Sequence, residues 1–371
     1  MSGLKVRTFF MKKSQLFISL LLLIILITAC CEKKEDLRIK EAREVITGLL
    51  NNQHIAGFSI TVIKDGELIW SEGFGYADLE NKTQVDPEKS MFRIGSVSKM
   101  ITAIGAAKLY QNGQLNLKAN VRKYVPYFPE KKYPFTVEQV ASHMSGIRHY
   151  SGDPKEYYNK RRYTSVKQSL EVFMNDSLQF KPGDRYLYSS FGYNTMSAII
   201  EGASGQTYIE YLSDAIFNPL GMNHTTFDYS DSIIIGRTGH YEFDSASNKI
   251  INAEFVDNSY KWAGGGLLSS SFDLANLAWA WHSNQIVTDS IKQLFITNKR
   301  LNNGEPTNYG FGWAIYSDLD IPSYGHGGTA VGGKGTVRVF PDYDMVIGIT
   351  INNWKVGYRD ELNEIVKLFI Q

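Results

Sequence analysis

The chain has 371 residues, of which 43% are hydrophobic, 13% aromatic and only 21% charged. That composition excludes a disordered tail and a coiled coil, and it is long enough for a large core. Its 39 basic and 38 acidic residues nearly cancel without any block of like charge, so nothing points to nucleic acid as a partner. The only cysteines, Cys30 and Cys31, are neighbours, and the seven histidines form neither HExxH nor HxH. This excludes a disulfide framework and a cysteine-built metal site, and no cofactor is called for.

Residues 16–29 (LFISLLLLIILITA) are apolar apart from Ser19 and Thr28, and Lys12 and Lys13 precede them. A positive start, a short apolar core and small residues before a cut site predict a secretory signal. The alternative is an uncleaved anchor, although a span needs about 20 apolar residues. Ile27-Thr28-Ala29-Cys30 resembles a bacterial lipobox, which implies lipidation of Cys30 and a membrane anchor in the bacterial cell envelope. On this reading 1–29 is a lipoprotein signal, 30–40 a tether and 41–371 the folded hydrolase domain. Residues 1–29 carry four basic and no acidic residues, so the mature chain has a net charge of −3.

Within 36–51, Leu37, Ile39, Val45, Ile46, Leu49 and Leu50 recur among charges, an amphipathic helix. Phe58–Ile63 and Glu67–Trp70 flank Asp65-Gly66, a two-residue hairpin signal. A helix is expected over about 192–202. Near the end, Thr336–Phe340 and Met345–Ile351 surround Pro341-Asp342 as another hairpin, with an amphipathic helix over about 358–370. The middle is mostly helical and rich in loops, with no internal repeat. These elements predict an α+β fold: an antiparallel sheet built from both chain ends, flanked by the terminal helices, with a mostly helical insertion over about 100–300. A cleft between two such parts is the usual place for a site.

The string Phe92-Arg93-Ile94-Gly95-Ser96-Val97-Ser98-Lys99 leads into an almost wholly apolar helix that Gly113 stops. Ser96 and Lys99, three residues apart at its start, share a face. A serine hydroxyl is a poor nucleophile until a base takes its proton, and an amine is a base only when neutral. Burial at the positive end of a helix dipole lowers a lysine pKa. The alternative is an N-cap serine beside a solvated lysine, and SxxK alone does not separate the two, because Ser2-Gly3-Leu4-Lys5 also matches. Two further strings stand out. One is Lys181-Pro182-Gly183-Asp184-Arg185-Tyr186-Leu187-Tyr188-Ser189-Ser190. The other is the glycine-rich Tyr324-Gly325-His326-Gly327-Gly328-Thr329 ahead of the last hairpin.

In this order and at these separations the three strings resemble the penicillin-recognising serine hydrolases of the class C β-lactamase superfamily. Ser142-His143-Met144-Ser145-Gly146, Ala263-Gly264-Gly265-Gly266-Leu267 and Tyr309-Gly310-Phe311-Gly312-Trp313 extend the likeness. Gly146–Tyr150 and Tyr188–Tyr193 look most like the branch containing the mitochondrial β-lactamase-like serine peptidase. The resemblance implies Ser96 as the acyl-accepting nucleophile, with Lys99 and Tyr188 sharing general-base and general-acid work, and Tyr188 a phenolate if two cations flank it. It implies an oxyanion hole from the Ser96 and Thr329 N–H groups, and substrate contacts from Ser190, His326, Gly327 and Gly328. Two positions depart from the family pattern: Ser190 replaces an Asn, and His326 replaces a Lys that would hold a β-lactam carboxylate. Both departures favour a small peptide or ester substrate over a β-lactam. The competing expectations are a β-lactamase or D-Ala-D-Ala carboxypeptidase, and a catalytically silent binding module.

Overall fold

The computed structural model describes residues 36–317 and 320–370. Two units are distinguished, Met1–Glu44 and Val45–Gln371. Of the first, only residues 36–44 are described. They open the helix Leu37–Gln53, and there Arg38 Nη2 meets Asp36 Oδ2 at 2.6 Å. The expected signal, the tether's first residues and Cys30 lie outside the described residues.

The second unit begins with β1 (Gly57–Lys64) and β2 (Glu67–Asp78), joined where expected, by Asp65 (φ 54°) and Gly66 (φ 81°). Two successive left-handed residues match the twist of a tight hairpin. Strand β3 (Thr83–Gln84) follows. The long middle segment is not purely helical: it carries β4 (Phe92–Arg93), β5 (Thr225–Phe227), β6 (Tyr241–Asp244), β7 (Lys249–Asn252) and β8 (Leu267–Ser269). Here β4, β8 and β5 form a small sheet, and β6 and β7 a hairpin. The chain then returns through β9 (Ala314–Tyr316), β10 (Ser323–Ala330), β11 (Gly333–Phe340) and β12 (Met345–Ile351) to the helix Arg359–Ile370.

The main sheet has seven strands in the order β3-β2-β1-β12-β11-β10-β9. Its two halves join where β1 runs antiparallel to β12, with Phe58 opposite Ile351. The sheet is therefore made from both chain ends, as the sequence predicts. Residues on both faces of β1 and β12 are buried, which requires cover on each side. On one face Trp70, opposite Val62, stacks on Phe369 of the C-terminal helix, ring centroids 6.0 Å apart. On the other, the buried hydroxyls of Ser59 and Thr61 meet Ser271 Oγ at 2.7 and 2.9 Å. Ser271 opens the helix Ser271–His282, which packs across β1, β11 and β12. This helix belongs to the inserted segment, so the insertion supplies one covering layer of the sheet as well as a lobe beside it.

The glycine-rich Tyr324–Thr329 segment does precede the last hairpin, and it is itself a strand, lying within β10. Its glycines lower strand propensity, yet bulk is impossible there: a Cβ on Gly325 would stand 2.0 Å from the Val337 carbonyl oxygen. The helix expected over about 192–202 runs Ser190–Ser204, because Ser189 caps it, accepting from the Gly192 N–H at 2.9 Å.

Candidate active site

A cleft of about 670 Å³ separates the helical wall from the β10–β11 edge. Ser96 lies at its floor, immediately before the helix Val97–Gln111, which is buried at every position from Val97 to Ala107. Ser96 occupies the N-cap position, but its side chain caps nothing. The hydroxyl instead meets Lys99 Nζ at 3.1 Å. The capping alternative left open by the sequence therefore does not hold.

Lys99 is fully buried. Its Nζ also donates to Ser190 Oγ at 3.1 Å and to the Gly264 carbonyl, and it lies 4.9 Å from the centre of the Tyr188 ring. Burial, and then the nearby charge of Lys261, push the Lys99 pKa well below that of a free lysine. A neutral amine has two N–H donors and one lone pair. Donating to Ser190 and Gly264 leaves the lone pair for the Ser96 proton.

Tyr188 lines the cleft and its hydroxyl is hydrogen-bonded to Ser96. Burial raises its pKa far above the ordinary phenol value. The phenolate expectation is thus corrected: the flanking Lys99 and His326 are held towards their neutral forms, so no pair of cations compensates a buried anion. Tyr188 is a neutral donor and acceptor.

His326 needs a second correction. It is buried and does not line the cleft. Its Nε2 meets the Tyr309 hydroxyl at 2.9 Å and its Nδ1 meets the Gly327 carbonyl oxygen at 2.6 Å. A carbonyl only accepts, so Nδ1 carries the proton and Nε2 accepts from Tyr309. Burial lowers its pKa to about 3. The ring therefore braces Gly327 and stands 6.2 Å behind the Tyr188 ring, with both nitrogens committed, rather than facing a substrate. Nor is the cleft short of positive charge for want of a lysine at this position. Among the described residues its lining holds Lys261, Lys334, Arg338 and Arg359 and no carboxylate.

Gly327, Gly328 and Thr329 form the opposite wall. Strand β9 pairs with β10 only as far as Gly325, so beyond it β10 has β11 on one side and the cleft on the other. The loop leading to Ser96 abuts this strand. A Cβ on Gly328 would stand 2.0 Å from Ile94 O and 2.5 Å from Ser96 N, and one on Gly95 (φ 51°) would stand 2.5 Å from Thr329 N. Only glycines allow that contact, and it brings the Ser96 and Thr329 amides together.

The sequence assigns no role to several residues that the fold brings to the site. The Ser189 and Ser190 N–H groups, at the start of helix Ser190–Ser204, donate to Nδ1 of His143 and of His149, each at 3.1 Å. Two imidazoles thus satisfy amides that the first turn of a helix leaves unpaired. Burial is the main force holding both rings neutral, His149 with a pKa of about 4. The hydroxyl of Tyr150 contacts Ser190 and Tyr260, and Tyr157 and Lys261 complete that wall. The string Gly146–Tyr150 was the available signal, but nothing local tells a capping histidine from a solvated one. Among the described residues no group of His, Cys, Asp and Glu is arranged to hold a metal ion, and no helix is long and apolar enough to cross a membrane.

Comparison with known proteins identifies the family and the fold. The sequence model of the family described as Beta-lactamase matches residues 42–369. The chain is 33% identical over 303 residues to the human serine beta-lactamase-like protein LACTB, mitochondrial, covering 64% of this chain and 55% of that protein. It is 27% identical over 279 residues to penicillin-binding protein 4* of Bacillus subtilis, covering 72% and 61%. The chain thus spans little more than half the length of these relatives. Among solved structures, the octameric penicillin-binding protein homologue from Pyrococcus abyssi superposes with a TM-score of 0.72 at 26% identity, covering 85% of this chain and 73% of that one. The D-amino acid amidase of Ochrobactrum anthropi shares the fold, with a TM-score of 0.76 at 20% identity over 88% and 98% of the two chains.

Proposed function

From the premise that the chain belongs to the beta-lactamase family, whose members are serine hydrolases and generally enzymes, we propose that it hydrolyses a small peptide amide or an ester through an acyl-enzyme. The observation that carries this reading is the 3.1 Å contact between Lys99 Nζ and Ser96 Oγ inside a buried, pKa-lowering pocket. In this mechanism neutral Lys99 takes the Ser96 proton as Oγ attacks the scissile carbonyl. The Ser96 and Thr329 N–H groups stabilise the oxyanion, and Gly327 and Gly328 let the substrate lie against β10. Tyr188, hydrogen-bonded to Ser96, gives its proton to the leaving group and is reprotonated by the proton Lys99 received, so Lys99 returns to the neutral amine. A water molecule then releases the acyl group by the reverse relay. Ser190 holds Lys99 in register and borders the substrate.

Residues 41–371 are the hydrolase domain on this reading. Residues 1–29 are a signal, residues 30–40 a tether, and Cys30 the lipidated residue that anchors the chain in the bacterial envelope. Palmitate labelling that disappears in Cys30→Ser tests the anchor.

The cationic cleft favours a second reading, because penicillins and D-Ala-D-Ala peptides both carry a carboxylate. A fluorophosphonate probe tests the shared mechanism by labelling Ser96. Turnover of nitrocefin, a p-nitrophenyl ester and a diacyl-Lys-D-Ala-D-Ala peptide, each with wild type and Ser96→Ala, separates the substrate classes. An unlabelled Ser96, with hydrolysis surviving in Ser96→Ala, overturns the reading.

A further inference from the structure

Lys261 lines the cleft yet is only 3% exposed. It ends the turn Ser259–Lys261, just before the Trp262–Gly265 segment whose Gly264 carbonyl accepts from Lys99. Its ammonium lies over the rings of Tyr157 and Tyr260, 5.1 and 5.3 Å from their centroids. Two aromatic faces at that range attract a cation but accept no directional hydrogen bond. Among the described residues Nζ has no hydrogen-bond acceptor and no carboxylate within ion-pair distance. The other three cationic side chains lining the cleft are engaged elsewhere: Lys334 donates to the Val356 carbonyl, Arg338 Nη2 to Ser323 Oγ at 2.8 Å, and Arg359 has contacts of its own. A buried ammonium has three donors to satisfy, and leaving them unmet is costly.

The position of this lysine is set by its surroundings. Asp257 Oδ1 accepts from the Ser259 N–H at 2.8 Å, and Asn258 Nδ2 donates to Asp228 Oδ2 at 2.7 Å. The same Asp228 oxygen takes Arg93 Nε at 2.7 Å, and Asp228, beyond ion-pair distance of Lys261, favours the charged form of that lysine only through space. Burial lowers the Lys261 pKa to about 7, so a carboxylate placed beside it would draw it into the charged form. On a braced turn, walled by two rings and facing the cleft, it has the form of an anion receptor.

We propose that Lys261 is a specificity-determining residue that binds a carboxylate of the substrate on the helical wall, across the cleft from β10. This deepens the hydrolase reading above and rests on it for the word substrate, but the anion site itself does not depend on turnover. The ligand chemistry is a carboxylate, which an acidic group in the acyl part or a free carboxyl-terminus in the leaving part would equally supply.

The test is therefore a binding measurement with two matched pairs of probes on the full chain carrying Ser96→Ala. One pair is N-acetyl-aspartyl anilide and N-acetyl-asparaginyl anilide, with the charge in the acyl part. The other is N-acetyl-glycyl-glycine and its amide, with the charge in the leaving part. Calorimetry is run with Lys261 intact and with Lys261→Met, whose stem still packs on Tyr157 and Tyr260, and with Lys261→Arg, which keeps the charge. In one pair the charged member is expected to bind at least about tenfold more tightly than its neutral partner, a difference typical of a charge-assisted contact. Lys261→Met brings that ratio close to one, and Lys261→Arg retains most of it. If Lys261→Met does not fold, Lys261→Gln replaces it. Equal binding of charged and neutral members in both pairs with Lys261 intact overturns the assignment. So does a preference that survives removal of the charge, which would belong to the β11 side of the cleft. Failure of the hydrolase reading shows separately, as an unlabelled Ser96 in the otherwise unaltered protein.

Discussion

Lys99 Nζ stands 3.1 Å from Ser96 Oγ and 3.1 Å from Ser190 Oγ, so one buried amine links the start of the Val97–Gln111 helix to the start of the Ser190–Ser204 helix. The two serines are far apart in the chain, and Lys99 holds both from a pocket without solvent exposure. On the proposed mechanism the start of one helix supplies nucleophile and base, and the first residue of the other keeps the base aimed.

The nucleophile assignment predicts that a fluorophosphonate adds its mass to the peptide containing Ser96. Ser96→Ala is expected to abolish the adduct and to lower kcat/KM by at least about 10³-fold, as other nucleophile deletions do. Ser98→Ala is the control. Its hydroxyl bonds the Gly95 carbonyl at 2.8 Å and accepts from the Leu267 N–H, so that variant should lose stability and keep the label. Peptide mass spectrometry after labelling decides the matter, and an adduct on any other serine counts against the mechanism.

The proposed mechanism puts Lys99 and Tyr188 on one proton path, so their losses should not multiply. Lys99→Met, Tyr188→Phe and the double variant are expected to be impaired to similar extents. Full multiplication of the two single losses would separate their roles. The pH profile of kcat/KM should show an acid limb from Lys99, well below the titration of a free lysine, because burial and the charge of Lys261 favour the neutral amine. Tyr188, held neutral by burial, should contribute no limb near neutrality.

Gly328 sits where the approach loop to Ser96 meets β10. Gly328→Ala would place a methyl 2.0 Å from Ile94 O and 2.5 Å from Ser96 N, in the space the oxyanion needs. Neither neighbour is a flexible side chain, so backbone must move. The expected result is a fall of at least about 10²-fold in kcat, comparable to losing an oxyanion donor. Gly327→Ala, whose Cβ meets nothing within 4 Å, should be tolerated far better by the fold. Circular dichroism melts and kcat of the two variants give the comparison.

Acid should destabilise the protein through its buried histidines. Burial lowers the pKa of His240 and His326 to about 3, of His149 to about 4, and of His143 well below 6.5. In the unfolded chain each ring takes a proton near pH 6.5, whereas in the folded chain it does so only at lower pH. Between those values the unfolded state binds more protons, so stability falls as pH drops. Melting temperature is therefore expected to decline steadily from about pH 6.5 towards pH 4. His326→Gln should reduce the slope, and a flat profile over that range would show that these rings are not buried neutral.

Much of the architecture was legible because its signals are local. Asp65-Gly66 forces a tight turn, the apolar run after Ser96 can only be a buried helix, and the short spacing of Ser96 and Lys99 puts them on one face wherever that helix lies. Pairing of the two chain ends into one sheet followed from strand patterns at both termini. What the chain order hides are relations between distant segments. Gly325, Gly327 and Gly328 depress strand propensity, and only the need to pass Val337 and Ile94 explains a strand there. His143 and His149 became caps because their loop folds back onto the amides of Ser189 and Ser190. His326 became a brace because Tyr309 and Gly327 occupy both of its nitrogens. Lys261 looks in the sequence like any surface lysine. Packing of Tyr157 and Tyr260 around it strips most of its water and lowers its pKa to about 7, a setting that only the folded chain creates.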